Sequence, residues 1–388
     1  MKKKILIFFI FTLFIAFFTT NYATANAAEN NKKPENEVND LIDEIDFSGL
    51  DDYIDETLPF FAKRGSVADY LKSIVNGEAS DFNSLTEYAI SLFAGNFRDR
   101  LPTFISLFVL LIFGGIIEIA SPDNASDTGE IAKFAIFLTC SCIVSVIVIG
   151  TLQKASEVIR GMAKIIEGAY PILLTLSVSA GAEQSAALIS PTTLFVSEAA
   201  ISAVTSIVFP CLSLMLVTAI ASNLSNSVKF KNLFGFLSSF LKWGIGLFTT
   251  FFSIFLAVKG SAAVTLDGIS YKTAKYALGT SVPLVGGIVR DGLDMLVSSA
   301  VTIKNALGAL TLAMVFSVAI IPVIEIAVVS LCLKFVAAVT EPFSDGRAGD
   351  FIASSIAILN FAIAAIIVVA FLYVSTTVAI INSTRFVV

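Results

Sequence analysis

The chain has 388 residues, 56% of them hydrophobic and 14% charged, with a mean hydropathy of +0.86. Soluble domains are roughly 45–50% apolar with glycine included and about 25% charged, so the composition excludes a water-soluble globular protein and puts the chain in a bilayer. Histidine is absent, which removes Ser-His-Asp and Cys-His catalysis and most zinc sites.

The N-terminus opens with Met1-Lys2-Lys3-Lys4, an apolar run from Ile5 to Phe18, and small residues through Ala23-Thr24-Ala25-Asn26-Ala27. A basic start, a short apolar core and an A-x-A pattern predict a secretory signal peptide at 1–27, either cleaved or kept as an anchor. Residues 29–100 carry 16 acidic and 7 basic side chains, whereas residues 101–388 carry 15 of each. The expected organisation is therefore an acidic helical extracytoplasmic module at 28–100, followed by a polytopic membrane domain at 101–388. So acidic a module argues against nucleic acid or an anionic lipid surface as its partner.

Apolar residues in the module recur at helical spacing: Val38, Leu41, Ile42 and Ile45; then Leu50, Tyr53, Ile54 and Leu58; then Val67, Tyr70, Leu71, Ile74 and Val75; then Leu85, Tyr88, Ala89, Leu92 and Phe93. Such thin helices make a poor independent core. They are expected to pack on the membrane domain, on each other or on a partner.

A helix needs about 20 apolar residues to cross the hydrocarbon core. Leu101 to Ala120, Ile131 to Thr151 and Gly244 to Val264 qualify, and Phe351 to Ile381 contains a further span. Ile165 to Ala180 is short and carries Pro171. Ser190 to Asn223 and Ala306 to Thr340 are too long for a straight crossing and contain Pro210 and Pro322. These must tilt, protrude or break near the proline. The fold class is all-α, with about seven or eight membrane segments that include broken or re-entrant helices. Expected breaks are Pro171, Pro210, Pro283, Gly286, Gly287 and Pro322. Equal spacing of the pairs Pro171/Pro210 and Pro283/Pro322 suggests a weak internal repeat, 165–260 against 277–372.

Residues 225–243 alternate Lys229, Lys231 and Lys242 with seven phenylalanines and leucines before Trp243, the pattern of a helix lying at the membrane interface. The 34 phenylalanines read as lipid-facing and packing residues. Cys140, Cys142, Cys211 and Cys332 lie in apolar stretches and read as small hydrophobes. A C-x-C pair on a helix points its two side chains about 200° apart, which is poor for joint ligation.

Ionisable residues within apolar segments face protein or water by default. Glu118, Glu198, Glu325, Lys259 and Lys334 are of this kind. Glu198 and Glu325 could line a conduit or couple to an ion, or could form interhelix pairs. Arg290, Asp291 and Asp294 share one helical turn, where Arg290 and Asp294 can pair locally. No P-loop, nucleophile elbow or metal-ligand cluster occurs. No cofactor and no enzymatic activity are expected. In orientation, the signal peptide places the module outside, yet the loop at 121–130 is acidic and Arg98 and Arg100 are basic, opposite to the positive-inside rule.

Several segments carry a likeness: Ala169-Tyr170-Pro171-Ile172-Leu173, Ser190-Pro191, Asp267-Gly268-Ile269-Ser270, Lys272-Thr273-Ala274-Lys275-Tyr276-Ala277, Val282-Pro283-Leu284-Val285-Gly286-Gly287 and Lys304-Asn305-Ala306. In these, and in its order of signal peptide, exported region and spans, the chain resembles the stage III sporulation protein AE family of endospore formers. That resemblance implies a permease-like component of a feeding or secretion channel in the mother-cell membrane around the forespore. It also implies partners: other stage III A-operon proteins, among them a secretion-type ATPase and ring-forming subunits, and forespore protein Q. The family supplies no catalytic residues to carry over. The competing expectation is an autonomous secondary transporter or channel for a small solute.

Overall fold

The structure is a computed structural model and describes residues 35–57, 65–76, 82–120, 127–183, 186–187, 195, 198–224, 230–281, 286–341 and 346–382. The expected signal peptide and Pro283 lie outside them. The chain forms two compact units, 1–44 and 45–388. The described part of the first is helix α1, Glu35–Asp43.

The second unit is also helical throughout its described residues. Two short helices come first, α2 at Ser48–Thr57 and α3 at Val67–Val75. Long helices follow: α4 Phe82–Ala120, α5 Asp127–Ser179, α6 Phe209–Leu224, α7 Lys231–Ser281, α8 Gly286–Thr340 and α9 Arg347–Asn382. Six helices are long and apolar enough to cross a membrane. The described residues therefore show a multi-span, all-α membrane protein.

Two expected segments, 131–151 and 165–180, lie on one helix, α5, of 53 residues. α8 has 55 residues. At 1.5 Å per residue each is about 80 Å long, far more than the roughly 30 Å hydrocarbon core, so much of each stands outside it. The expected interfacial helix before Trp243 is likewise the first part of α7, which continues unbroken past Gly244. α4 runs straight through residue 100, so the end of the acidic module and the first span are one helix.

Pro102, Pro171 and Pro322 sit inside continuous helices, so the breaks expected at Pro171 and Pro322 do not occur. Pro210 is different. A π-helical turn, Val204–Val208, immediately precedes α6, and the Phe209 N–H donates to the Val204 carbonyl, five residues back. The proline ring crowds the carbonyl four residues before it, Ser206, and widening that turn relieves the clash without ending the helix. Gly286 and Gly287 begin α8.

α5, α8 and α9 form the centre, each packed on the other two. α4 packs on α5 and α8, α6 on α9 and α5, α7 on α9, α6 and α8, while α2 lies on α5 and α3 on α8. One row of buried positions on α9 is Ile352, Ser355, Leu359, Ala362, Ile366, Val369, Tyr373, Thr376 and Ile380, with Phe351, Ile358, Ala365, Leu372 and others buried beside it. Their alternating three- and four-residue steps form the seam of a helix packed along its whole length. Many buried threonine hydroxyls do not interrupt this packing, because they return their hydrogen bond to their own helix. Thr151 donates to the Ile147 carbonyl at 2.7 Å, Thr311 to Leu307 at 2.8 Å and Thr376 to Leu372 at 2.9 Å.

Small residues set the closest approaches. A Cβ on Gly161 would fall on the Tyr53 hydroxyl, and one on Gly168 would come within 3.0 Å of Leu50 Cδ2. These two glycines, two turns apart on α5, receive the Leu50 and Tyr53 face of α2. A Cβ on Gly308 would collide with Ile381, so that glycine brings α8 and α9 together. The outer faces remain apolar. Ile105, Val109, Phe113 and Ile116 on α4, and Phe236, Phe240, Trp243, Leu247 and Phe251 on α7, are all exposed, as surfaces dissolved in lipid should be.

Candidate functional site

Polar side chains of interest lie at three places in the second unit. The first is built on Glu325 of α8, whose side chain is 8% exposed. Its Oε1 accepts from Arg100 Nη2 of α4 at 2.5 Å and from Lys154 Nζ of α5 at 3.0 Å. Helical rotation selects Arg100 for this role. Arg98 and Asp99 point outward and pair weakly with each other at 3.8 Å, whereas the next residue turns inward. One buried carboxylate thus holds two cations from two other helices, and the cluster carries one net positive charge. A buried carboxylate is tolerated only with such partners.

The second site joins Glu167 of α5, Glu198 at the start of the helical stretch leading into the π turn, and Tyr373 of α9. Glu198 acts electrostatically on Glu167, and both side chains are exposed. Tyr373 is 2% exposed. Lys164, one turn before Glu167, extends its Nζ over the Tyr53 ring at 5.9 Å.

The third is Lys304 of α8, which is fully buried. Its Nζ donates to the carbonyls of Ile381 at 3.0 Å and Ile380 at 3.3 Å. These carbonyls lie in the last turn of α9, where an ammonium group bonds to them and meets the negative end of the helix dipole.

The structure thus separates the residues marked in the sequence. Glu325 and Glu198 occupy different clusters. Lys334 is exposed on α8, nine positions beyond Glu325. The side chains of Arg290, Asp291, Asp294, Glu118 and Lys259 lie outside the described residues. Sequence reasoning missed Glu167, Lys154 and Lys304 as site residues. The signal available for Lys154 was the polar stretch 152–164, which reads as a loop between two spans until the helix is seen to be continuous, while Glu167 lies within the segment expected at 165–180. Cys140 is buried and Cys142 exposed, in keeping with the opposed directions of a C-x-C pair. Among the described residues, no group of three or more His, Cys, Asp or Glu could hold a metal ion.

Long apolar helices with lipid-facing outer surfaces, pinned internally by buried charges, define a polytopic helical membrane protein. The stage III sporulation protein AE family model matches residues 65–384. The chain belongs to that family, whose members are non-catalytic membrane proteins of sporulation. Stage III sporulation protein AE of Bacillus subtilis (strain 168) is 28% identical over 295 residues, covering 74% of this chain and 71% of that protein. No solved structure matches.

Proposed function

We propose that the chain is the membrane-embedded, permease-like scaffold of a channel complex linking mother cell and forespore, needed for forespore development after engulfment. Family membership over residues 65–384 carries this reading. The architecture supports it. α4 joins the acidic segment to the first span in one rod, and Arg100 on that rod is tied to Glu325 in the central helix. Movement or load on the acidic segment is thereby transmitted to the core. In this reading the acidic segment faces the intermembrane space, where its exposed carboxylates meet the other stage III A-operon proteins and protein Q of the forespore. Arg100, which opposes the positive-inside pattern in that orientation, is held by a carboxylate in the folded protein.

The test is co-purification from sporulating cells. Reversing the exposed acids Asp40, Asp52 and Glu44 to lysine should leave the chain in the membrane at normal level but remove its partners. Recovery of an intact complex would refute the scaffold role. The alternative, an autonomous transporter, draws on the π turn beside Glu198, since such turns recur at functional sites. It requires solute flux through purified chain in liposomes without partners, lost on Glu198→Gln.

A further inference from the structure

The outer surface of α5 changes character partway along the helix. Between Ile131 and Ile149 its exposed side chains include Ile131, Phe134, Leu138, Val146 and Ile149, and none is charged. This stretch is about 27 Å long at 1.5 Å per residue, close to the roughly 30 Å hydrocarbon core. From 153 to 167 the exposed side chains are Gln153, Lys154, Glu157, Arg160, Lys164 and Glu167, with nothing apolar among them. Such a face is costly in hydrocarbon. Further on, Ile165, Ile166, Leu173 and Leu176 are buried, while Pro171, Thr175, Val178 and Ser179 are outside. The second apolar segment of α5 therefore hides its large side chains in protein, where the first turns them outward.

α4 changes at the same height. Arg100 and Lys154 both reach Glu325, so α4, α5 and α8 are level there. On one side of Arg100, α4 exposes Ile105, Val109, Phe113 and Ile116. On the other it exposes Arg98 and Asp99, 85% and 72% accessible, beside Phe93 and Phe97, whose rings stack at 6.4 Å. An independent observation comes from α2, which carries Asp51, Asp52, Asp55 and Glu56 within ten residues. Its Leu50 and Tyr53 sit on Gly168 and Gly161 of α5, beyond Lys154. A helix with four acids stays in water, and it holds that part of α5 there with it.

We propose that on the α4–α5 side the bilayer ends at the Arg100–Glu325–Lys154 cluster. Beyond it, α5 from Gln153 onward, the part of α8 before Glu325, and α2 and α3 form a helical body standing in water. The apolar segment 165–180, expected from the sequence as a membrane segment, is the inner face of this body and does not cross. The surface that meets lipid is the apolar belt below the cluster. Its edge carries Arg98 and Lys154, the latter 57% accessible, at the level of the lipid phosphates, where long cationic side chains are favoured. α7 packs on α9, α6 and α8 and keeps an exposed apolar row from Phe236 to Val258. That row is about 33 Å long, again one core thickness. The boundary does not depend on the scaffold reading, since a transporter would have it too.

Full-length protein with its four native cysteines changed to alanine receives single cysteines at Val109, Leu138, Val146, Glu157, Arg160 or Thr175. Each carries a nitroxide in phospholipid nanodiscs. Collision with oxygen, which concentrates among acyl chains, is compared with collision with a water-soluble nickel chelate. Labels at 109, 138 and 146 should favour oxygen, and those at 157, 160 and 175 should favour nickel. Helix content by circular dichroism shows that each variant is folded. Hydroxyl-radical footprinting of the unaltered chain gives a second measurement that needs no substitution. Phe93, 42% exposed, should oxidise readily, and Phe113 should be shielded by lipid although it is 61% exposed. A label at Thr175 that behaves like the one at Val146, or equal oxidation of Phe93 and Phe113, overturns the proposal. Nickel access at 157 and 160 with oxygen preference at 175 also overturns it, since that is the pattern of a water-filled recess within the bilayer.

Discussion

Arg100→Ala gives the sharpest test of the packing logic. The substitution removes the closer of two cations from Glu325 and leaves a carboxylate that is 8% exposed. Losing one partner of a buried pair costs about 3–5 kcal/mol. Two features reduce that figure here: Arg100 is itself 24% exposed, and Lys154 remains at 3.0 Å. The expected cost is about 2 kcal/mol, after discounting for solvent screening. Lys154, 57% exposed, should matter far less, about 0.5 kcal/mol on removal. Glu325→Gln should make Arg100→Ala nearly silent, because the uncompensated charge is gone. The assay is a double-mutant cycle on thermal unfolding of the full chain in detergent, read by loss of the monodisperse species. Equal costs for Arg100→Ala and Lys154→Ala, or additivity of Arg100→Ala and Glu325→Gln within about 0.5 kcal/mol, would refute the claim that this carboxylate holds three helices together.

Three further outcomes are expected. Lys304→Met keeps the apolar stem but strips two hydrogen bonds from the end of α9; it should cost about 1–3 kcal/mol and speed amide exchange near residue 380, and unchanged exchange would contradict the capping role. Gly161→Leu fills the slot that receives Tyr53, so protease cleavage within α2 should rise while α5 to α9 stay resistant; equal resistance of α2 would show that the slot does not hold it. Asp69 is held below its usual pKa, first by the Ser66 hydroxyl and then by the Ser66 backbone N–H, within a reciprocal cap on α3. Because the folded value is depressed, this stabilisation is present above the unfolded value and is lost as pH falls through the folded one. Amide protection in the first turn of α3 should drop below about pH 4, and Asp69→Asn should remove that dependence. Protection that falls with pH equally in Asp69→Asn would show the cap is not responsible.

Some of this architecture could be read before any coordinates. Composition alone required a bilayer, because no soluble fold of this size hides so much apolar surface. Apolar spacing located the short helices: the stripe Leu50, Tyr53 and Ile54 is the buried face of α2, and Val67, Tyr70 and Leu71 that of α3. Glu325 could be marked as a residue needing a partner, since an ionisable group among apolar neighbours is costly when alone.

Other features depend on separations that sequence does not encode. Whether 152–164 was a loop or the middle of a long helix turned on what packs around it. Its polar residues look like a connection in isolation, but Gly161 and Gly168 are the floor under α2. Proline patterns were equally silent, because Pro171 and Pro322 stay within their helices while Pro210 forces a π turn. The partners of Glu325 lie 225 and 171 positions away, and no local pattern could name them. Hydrophobic periodicity is a short-range signal that decides which face of each helix is buried. Which charges meet across the bundle is decided by how the helices are aligned along one another, and only the packed structure fixes that alignment.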